Sequence, residues 1–207
     1  MSDFITAKQH LTAVDSVLAR VIAEQPLEPI TPHTNYYYEL SSSIISQQLS
    51  VKAAATIEKR FIALFPGREF PTPEDILAVS IDTLRSVGLS RPKAGYIQDM
   101  AYKVISGELQ FNHLDALPND EVIRELTAVK GVGEWTAHMF LIFCMNRLDV
   151  LPTGDLGIRN GIARLYDLPA APTPAEVTAL ALEENWHPYE SVAARCIWHS
   201  LDNEPKS

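Results

Sequence analysis

The segment Leu126 to Ala137, L-T-A-V-K-G-V-G-E-W-T-A, places two glycines around one apolar residue. Apolar residues recur at helical spacing in residues 121–129 and again in residues 135–148, which predicts a helix, a glycine turn and a second helix. Glycine accepts positive φ and has no Cβ, so this turn can be tight and closely approached. Its main-chain N–H groups and the dipole of the second helix can bind a phosphate. An ordinary corner between two helices explains the pattern equally well.

Helical spacing of apolar residues also runs through the remaining chain, and strand signals are nearly absent. Thr6 is placed to cap a first helix that ends near Glu24, and Asn35 and Ser50 are placed to cap the next two. Three prolines in residues 25–35 indicate a loop. No linker is long enough to separate independent domains. We therefore predict an all-α protein of about ten helices.

Composition limits the kind of protein this is. Of its 207 residues, 46% are hydrophobic and 21% charged, which is typical of a globular protein. We expect no signal peptide and no membrane-spanning segment. The net charge of −9 argues against a protein that coats nucleic acid, although a local basic face can still bind DNA. Two cysteines, Cys144 and Cys196, cannot hold a four-thiolate iron–sulfur cluster and suggest a reducing compartment.

Asp155 follows the glycine turn, in the stretch L-P-T-G-D-L-G-I-R. Its simplest role is to cap the next helix, which we expect to run to about Tyr166. The flanking residues Gly154 and Gly157 leave little bulk around the carboxylate, and N–H groups at a helix start stabilise its charge. A carboxylate in a cleft can stabilise an oxocarbenium-like sugar. Capping and chemistry are compatible, so both interpretations stay open.

Two further polar clusters stand at predicted helix starts. The junction Gln47-Gln48-Leu49-Ser50 is explained either by turn chemistry or by a side chain that probes a DNA groove. Arg91 and Lys93 lie where a helix dipole disfavours cations, and a bound phosphate would relieve that misfit. Solvated surface charge is the simpler explanation for the second cluster.

Four blocks, together with the Asp155 stretch, resemble the helix-hairpin-helix superfamily of base-excision DNA glycosylases, and within it the 3-methyladenine DNA glycosylase II, or alkylpurine, branch. The blocks are S-S-S-I-I-S-Q-Q-L-S-V-K-A-A, V-G-L-S-R-P-K-A, L-T-A-V-K-G-V-G-E-W-T-A and W-H-P-Y-E-S-V-A-A-R-C-I-W. The likeness covers about residues 36–200. It implies a two-lobed helical fold with residues 1–207 as one compact unit. The terminal helices would form one lobe, residues 36–115 part of the other, and residues 119–148 the helix-hairpin-helix motif.

The resemblance implies a role for each matching residue. Asp155 matches the catalytic aspartate, and Gln48 or Leu49 the wedge that fills the space left by a flipped nucleotide. Trp135, Met139 and Trp186 match base-pocket positions, although both tryptophans are equally well explained as core residues. The main-chain carbonyls of Thr127, Val129 and Val132 would hold a monovalent cation, Na⁺ or K⁺. The implied contacts to the DNA backbone come from Ser50, Lys93, Lys130, Gly131, Gly133 and Thr136.

Three positions depart from the family pattern. Trp135 stands where strand-cutting relatives have a nucleophilic lysine, so no Schiff base can form there and the resemblance implies a monofunctional enzyme. Glu190 replaces an arginine, which leaves any phosphate contact at that point open. Met139 replaces an aromatic residue, so the base pocket is expected to differ.

The resemblance implies excision of alkylated purines, 3-methyladenine and 7-methylguanine, by base flipping and hydrolysis of the N-glycosidic bond. The expected partner is damaged double-stranded DNA, bound by a monomer without a membrane and without a required cofactor. The expected compartment is the nucleoid-containing cytoplasm in a bacterium or the nucleus in a eukaryote. Two alternatives are a non-catalytic helix-hairpin-helix DNA-binding protein and a glycosylase for neutral lesions such as hypoxanthine, uracil or ethenoadenine.

Overall fold

A computed structural model describes residues 2–24 and 27–202 of the chain, and within these ranges the regular backbone is entirely helical. This confirms the predicted all-α class, with twelve α-helices in place of about ten. A 3₁₀-helix, Phe111–Ala116, precedes α8, and a π-helical segment, Phe140–Cys144, follows α9. The α-helices are α1 Ser2–Val14, α2 Ser16–Glu24, α3 Tyr36–Ser46, α4 Val51–Ala63, α5 Pro73–Leu77, α6 Ile81–Ser86, α7 Arg91–Ser106, α8 Asn119–Thr127, α9 Glu134–Met139, α10 Leu156–Leu165, α11 Pro174–Glu183 and α12 Glu190–Asp202.

The chain divides into two compact units. Unit 1 comprises Met1–Pro32 and Leu141–Ser207, and unit 2 comprises His33–Phe140. The prediction that residues 1–207 behave as one unit stays a prediction. Across the described ranges, no helix combines the length and the apolar character that crossing a membrane would require.

Each unit has its own set of buried apolar side chains. In unit 1 all five α-helices contribute to one cluster, which also contains Trp186. Its best-buried members from the helices are Ala7, Leu11, Leu18, Ile158, Ile162, Val177, Val192, Ala193, Ala194 and Ile197. In unit 2 the fully buried side chains include Leu40, Ile44, Ile45, Phe61, Ile76, Leu84, Ile97, Met100, Val122 and Leu126.

The predicted first helix is two helices, because Asp15 interrupts it. The Oδ1 atom of Asp15 accepts hydrogen bonds from the N–H groups of Val17 (2.8 Å) and Leu18 (3.0 Å), and so starts α2. Its Oδ2 atom accepts the Tyr166 hydroxyl (2.5 Å) and the Trp186 indole N–H (2.8 Å). The residue is only 1% exposed. A buried acceptor with four donors therefore joins α2 to the end of α10 and to the segment before α12.

The helix starts predicted at Asn35 and Ser50 are confirmed, because each side chain accepts a hydrogen bond from the N–H group three residues later. Thr72, Ser80 and Ser90 cap α5, α6 and α7 in the same way. Thr6 was predicted to act in the same way, and this was wrong: α1 already begins at Ser2, so Thr6 lies inside a helix where no N–H group needs a cap.

The glycine hairpin lies between α8 and α9, as predicted. Gly131 has φ +80°, and Gly133 (φ −93°) precedes the first residue of α9. The second helix was expected to continue to Leu148, and this was wrong. The helix changes to π-helical geometry after Met139, and an Arg147 N–H donates to the Leu141 carbonyl at 2.9 Å. Periodicity does not reveal such a change, because it inserts a residue without making the segment less apolar.

The two hairpin glycines differ in the space around them. A Cβ at Gly131 would lie 2.1 Å from the ring of Tyr96, and the backbone there is also left-handed. A Cβ at Gly133 would meet nothing within 4 Å. The left-handed backbone and the close approach of Tyr96 both call for a glycine at position 131. Neither reason applies to Gly133.

Gly131→Ala should lower the free energy of unfolding by roughly 1–3 kcal/mol, because alanine at this φ is strained and its methyl group displaces Tyr96. Gly133→Ala is the matched control and should leave the stability close to that of the parent. Chemical denaturation followed by circular dichroism measures both. Equal stability of the two variants would contradict the close approach of Tyr96.

Asp15→Asn should destabilise the protein by roughly 2–4 kcal/mol, since the amide nitrogen turns a donor toward groups that are themselves donors. Asp82→Asn is the control, because the Asp82 side chain is 76% exposed and its change should have little effect. The same denaturation experiment compares the two variants. Similar midpoints for both would show that the buried carboxylate is dispensable.

Candidate functional site

The residues proposed for the site fall in both units. Asp155 and Trp186 belong to unit 1. The others belong to unit 2 and lie on the turn between α3 and α4, at the start of α7, at the end of α8, on the hairpin and on α9. They are Gln48, Leu49, Ser50, Lys93, Thr127, Val129, Lys130, Gly131, Val132, Gly133, Trp135, Thr136 and Met139.

Asp155 caps α10, as predicted, and it is half-buried. Its Oδ1 atom accepts the N–H group of Ile158 at 2.8 Å. The same oxygen accepts the indole N–H of Trp198, on α12, at 2.9 Å. The two donors come from helices that are far apart in sequence. The side chain of Asp155 is thus fixed both by its own helix and by a second one.

Trp198 is not among the site residues predicted from the sequence. It is the last residue of the block W-H-P-Y-E-S-V-A-A-R-C-I-W, whose first residue, Trp186, was singled out instead. The face of a helix that meets a loop depends on how the two pack, which residue spacing alone does not determine.

The assignment of Trp186 to the base pocket is corrected by the structure. The ring is 0% exposed, and its N–H donates to the buried Asp15 at 2.8 Å. Stacking on a base requires an exposed ring face, which Trp186 does not offer. Of the two explanations that the sequence left open, the core residue is the one observed.

Trp135 has the opposite environment. It lies in the first turn of α9 and is 54% exposed, an unusual degree for tryptophan. Met139 is the last residue of the same helix and is half-buried. Because α9 is helical at this spacing, the two side chains are neighbours on one face. Their role in holding a base stays a prediction.

The turn between α3 and α4 presents Gln48 and Leu49 to solvent. Gln48 is exposed and has a left-handed backbone, with φ 57°, which is uncommon for a residue other than glycine. Leu49 is 38% exposed. Ser50 caps α4 through the N–H of Ala53. The neighbouring Gln47 turns the other way, and its amide donates to the Gly131 carbonyl at 2.9 Å.

Lys93 was expected to bind the DNA backbone, and this stays a prediction; within the protein its side chain already has two partners. Its ammonium group donates to the main-chain carbonyls of Ile45 (2.8 Å) and Gln47 (2.5 Å), at the end of α3. Burial lowers the pKa of Lys93. A cation at the C-terminus of a helix matches the helix dipole, so Lys93 stabilises the α3–α4 turn.

Besides Gln47, the hairpin has a second partner within the protein, Asp99 on α7. This residue was not predicted from the sequence. Its Oδ2 atom accepts the Lys130 N–H at 2.9 Å, and its Oδ1 atom pairs with the Lys130 ammonium at 3.0 Å. Burial works to raise the pKa of Asp99, but the hydrogen bonds from Lys130 outweigh it and hold this pKa below its usual value. The Lys130 N–H therefore has a partner within the protein. The contacts to the DNA backbone expected from Ser50, Lys130, Gly131, Gly133 and Thr136 stay predictions.

The start of α9 has no side-chain cap, because Gly133 occupies the N-cap position. Thr136 has its side chain buried, with 7% exposed, so only its main-chain N–H could face a ligand. The carbonyl of Val129 accepts the Val132 N–H at 3.1 Å and keeps a second lone pair. A monovalent cation at the carbonyls of Thr127, Val129 and Val132 stays a prediction.

Glu190, which replaces an arginine of the family pattern, has a partner within its own segment. One carboxylate oxygen of Glu190 lies 2.9 Å from Nδ1 of His187, three residues earlier. The acidic side chain therefore contacts its own segment in the position where the resemblance has an arginine.

Comparison with known proteins agrees with this architecture. Residues 41–188 match the family described as HhH-GPD superfamily base excision DNA repair protein. The DNA-3-methyladenine glycosylase 1 of Schizosaccharomyces pombe is 40% identical over 200 residues, which are 93% of this chain and 85% of that protein.

Two solved structures share the fold and most of the length. The 3-methyladenine DNA glycosylase Mag1 of S. pombe, solved in complex with abasic DNA, superimposes with a TM-score of 0.81 at 34% identity, over 95% of this chain and 97% of that one. The DNA-3-methyladenine glycosidase of Bacillus halodurans gives the same TM-score at 35% identity, over 95% and 89%. The chain therefore belongs to the HhH-GPD superfamily of base excision DNA repair proteins, in the branch of the DNA-3-methyladenine glycosylases.

Proposed function

We propose that this DNA glycosylase excises purines alkylated at N3 or N7, 3-methyladenine and 7-methylguanine among them, and that Asp155 is its catalytic carboxylate. The observation that carries the proposal is the position of Asp155. It is held by two hydrogen bonds to Oδ1 at the start of α10, in the stretch that matches the catalytic loop of the family. The names of the similar proteins from S. pombe and B. halodurans support the same substrate class.

The proposed reaction depends on the charge of the damaged base. An N3- or N7-alkylated purine is cationic, so its glycosidic bond is weak and the base leaves without strong protonation. The enzyme has to extrude the nucleotide, which costs a few kcal/mol and less for a damaged base. Asp155 then stabilises the oxocarbenium ion and orients the attacking water. The base departs as a neutral molecule with the bonding electron pair, the water oxygen bonds to the sugar carbon, and the surplus proton of the water passes to Asp155 or to solvent.

The residues of unit 2 suit binding of duplex DNA. The glycine hairpin and the uncapped start of α9 offer main-chain N–H groups for backbone phosphates. A monovalent cation held by the carbonyls of Thr127, Val129 and Val132 would add positive charge there. Gln48 and Leu49 are exposed on one turn and are the proposed wedge. We propose that the protein acts on double-stranded DNA as a monomer.

Trp135 supports a reaction without strand cleavage. Its indole occupies the position at which strand-cutting relatives have a lysine, so a covalent Schiff base cannot form there. The exposed ring can also attract a cationic base, with about 0.5–2 kcal/mol from cation–π interaction. Trp135 would thus favour charged substrates and leave the abasic product uncut.

Asp155→Asn should reduce release of 7-methylguanine from methylated DNA by roughly 10²- to 10³-fold, because the developing positive charge loses its counter-charge. Asparagine is also a good helix cap, so folding and DNA binding should persist. Asp167→Asn, an exposed change at the other end of α10, is the matched control. Full activity of Asp155→Asn in a single-turnover release assay would exclude the proposed role.

Incubation with DNA that contains 7-methylguanine should yield abasic sites and no strand breaks, since no amine stands at the Trp135 position. Denaturing gels should show cleavage only after hot alkali. Treatment with borohydride should trap no covalent complex, whereas a lysine-dependent glycosylase/lyase on its own substrate serves as the positive control. Alkali-independent cleavage or a trapped complex would overturn the monofunctional assignment.

A further inference from the structure

We infer that Trp198 is a positioning residue for Asp155, and that the missing side chain of Gly157 is what allows it to act. This inference rests on the proposed function of Asp155. The Trp198 indole N–H donates to Asp155 Oδ1 at 2.9 Å, and the Ile158 N–H donates to the same atom at 2.8 Å.

Two donors from different helices restrain a carboxylate more than a cap alone. The Ile158 N–H fixes Oδ1 relative to α10, but by itself it permits rotation of the carboxylate plane about that contact. The Trp198 N–H comes from α12 and removes this freedom. A reacting group needs this kind of support, because its orientation must be kept within about 10–20° of the productive one.

Gly157 lies where the indole approaches. A Cβ at this residue would be 3.0 Å from Asp155 Oδ1, and 3.1 Å and 3.2 Å from Cδ1 and Nε1 of Trp198. Cδ1 and Nε1 form the edge of the indole that carries the N–H. Gly157 is the second residue of α10 and is not among the residues with positive φ, so backbone conformation does not require a glycine. The close approach of Trp198 and Asp155 favours a glycine, because their atoms would have to move by a few tenths of an ångström to make room for a methyl group.

The indole of Trp198 also stacks on a second aromatic ring. The ring of Phe143, in the π-helical segment, stacks on Trp198 with a centroid distance of 5.9 Å and an interplanar angle of 29°. Trp198 is half-buried and packs against the buried cluster of unit 1, and the stacked ring of Phe143 adds a further contact that restrains the plane of the indole. Both contacts hold Trp198 in place, and Trp198 in turn sets the orientation of Asp155.

The consequence for the reaction is a rate effect without a binding effect. Displacement of a catalytic group by about 1 Å can cost on the order of 100-fold in rate. Trp198→Phe keeps an aromatic ring against Phe143 and removes the donor. Gly157→Ala keeps the donor and pushes the indole edge away from Asp155. Both changes disturb the same hydrogen bond from opposite sides.

The test measures single-turnover release of 7-methylguanine, affinity for DNA with an abasic-site analogue, and the thermal midpoint. Trp198→Phe and Gly157→Ala should each lower the release rate by about 10- to 100-fold, with affinity and midpoint unchanged. The double variant should lose no more than the worse single variant, because one interaction is removed in both. Gly95→Ala, in a helix with nothing within 4 Å of the added Cβ, is the control for a glycine-to-alanine change.

Asp155→Asn separates this inference from the function on which it rests. If Asp155→Asn abolishes release while Trp198→Phe and Gly157→Ala act at the parental rate, Asp155 is catalytic and the positioning role is wrong. If Asp155→Asn itself retains full release, the proposed function fails. A loss in Trp198→Phe that comes with a lower midpoint or weaker DNA affinity, or multiplicative losses in the double variant, would assign Trp198 a merely structural role.

Discussion

The amide N–H groups at a helix start have no partners inside the helix, and in a chain of short helices the groups that satisfy them set much of the structure. Ser, Thr and Asn side chains satisfy several of these starts locally. Two aspartates do more than that. Asp15 and Asp155 each cap a helix and also accept an indole N–H from a distant part of the chain. Local helix chemistry thereby becomes a long-range contact.

Three aspartates in this protein have different roles because their surroundings differ. Asp15 is almost completely buried, has donors on both oxygens, and holds together unit 1. Asp99 is paired with Lys130 and holds the glycine hairpin. Asp155 is half-buried, and the donors described for it converge on one oxygen. Of these three carboxylates, Asp155 is the one that we propose acts at a sugar.

The hairpin is braced from within unit 2 before any ligand arrives. Gln47 binds the Gly131 carbonyl, Asp99 binds the Lys130 N–H, and Tyr96 fills the space that a side chain at Gly131 would need. Lys93 in turn stabilises the adjoining α3–α4 turn. A pre-formed hairpin gives up little conformational freedom on binding phosphate, which favours a non-specific grip on DNA.

The amino-acid sequence by itself determined the helical class, most helix starts, the glycine hairpin and the capping role of Asp155. These features depend on neighbours three or four residues away, and spacing records them directly. Spacing did not separate buried Trp186 from exposed Trp135, because the burial of a single ring depends on which elements pack around it. It also did not reveal the break at Asp15, the π-helical segment, the contact of Lys93 with the end of α3, or the partners Asp99 and Trp198. Those depend on which helix faces pack together. Only the tertiary structure, which brings α12 against the start of α10, decided that an indole and a missing Cβ would orient Asp155.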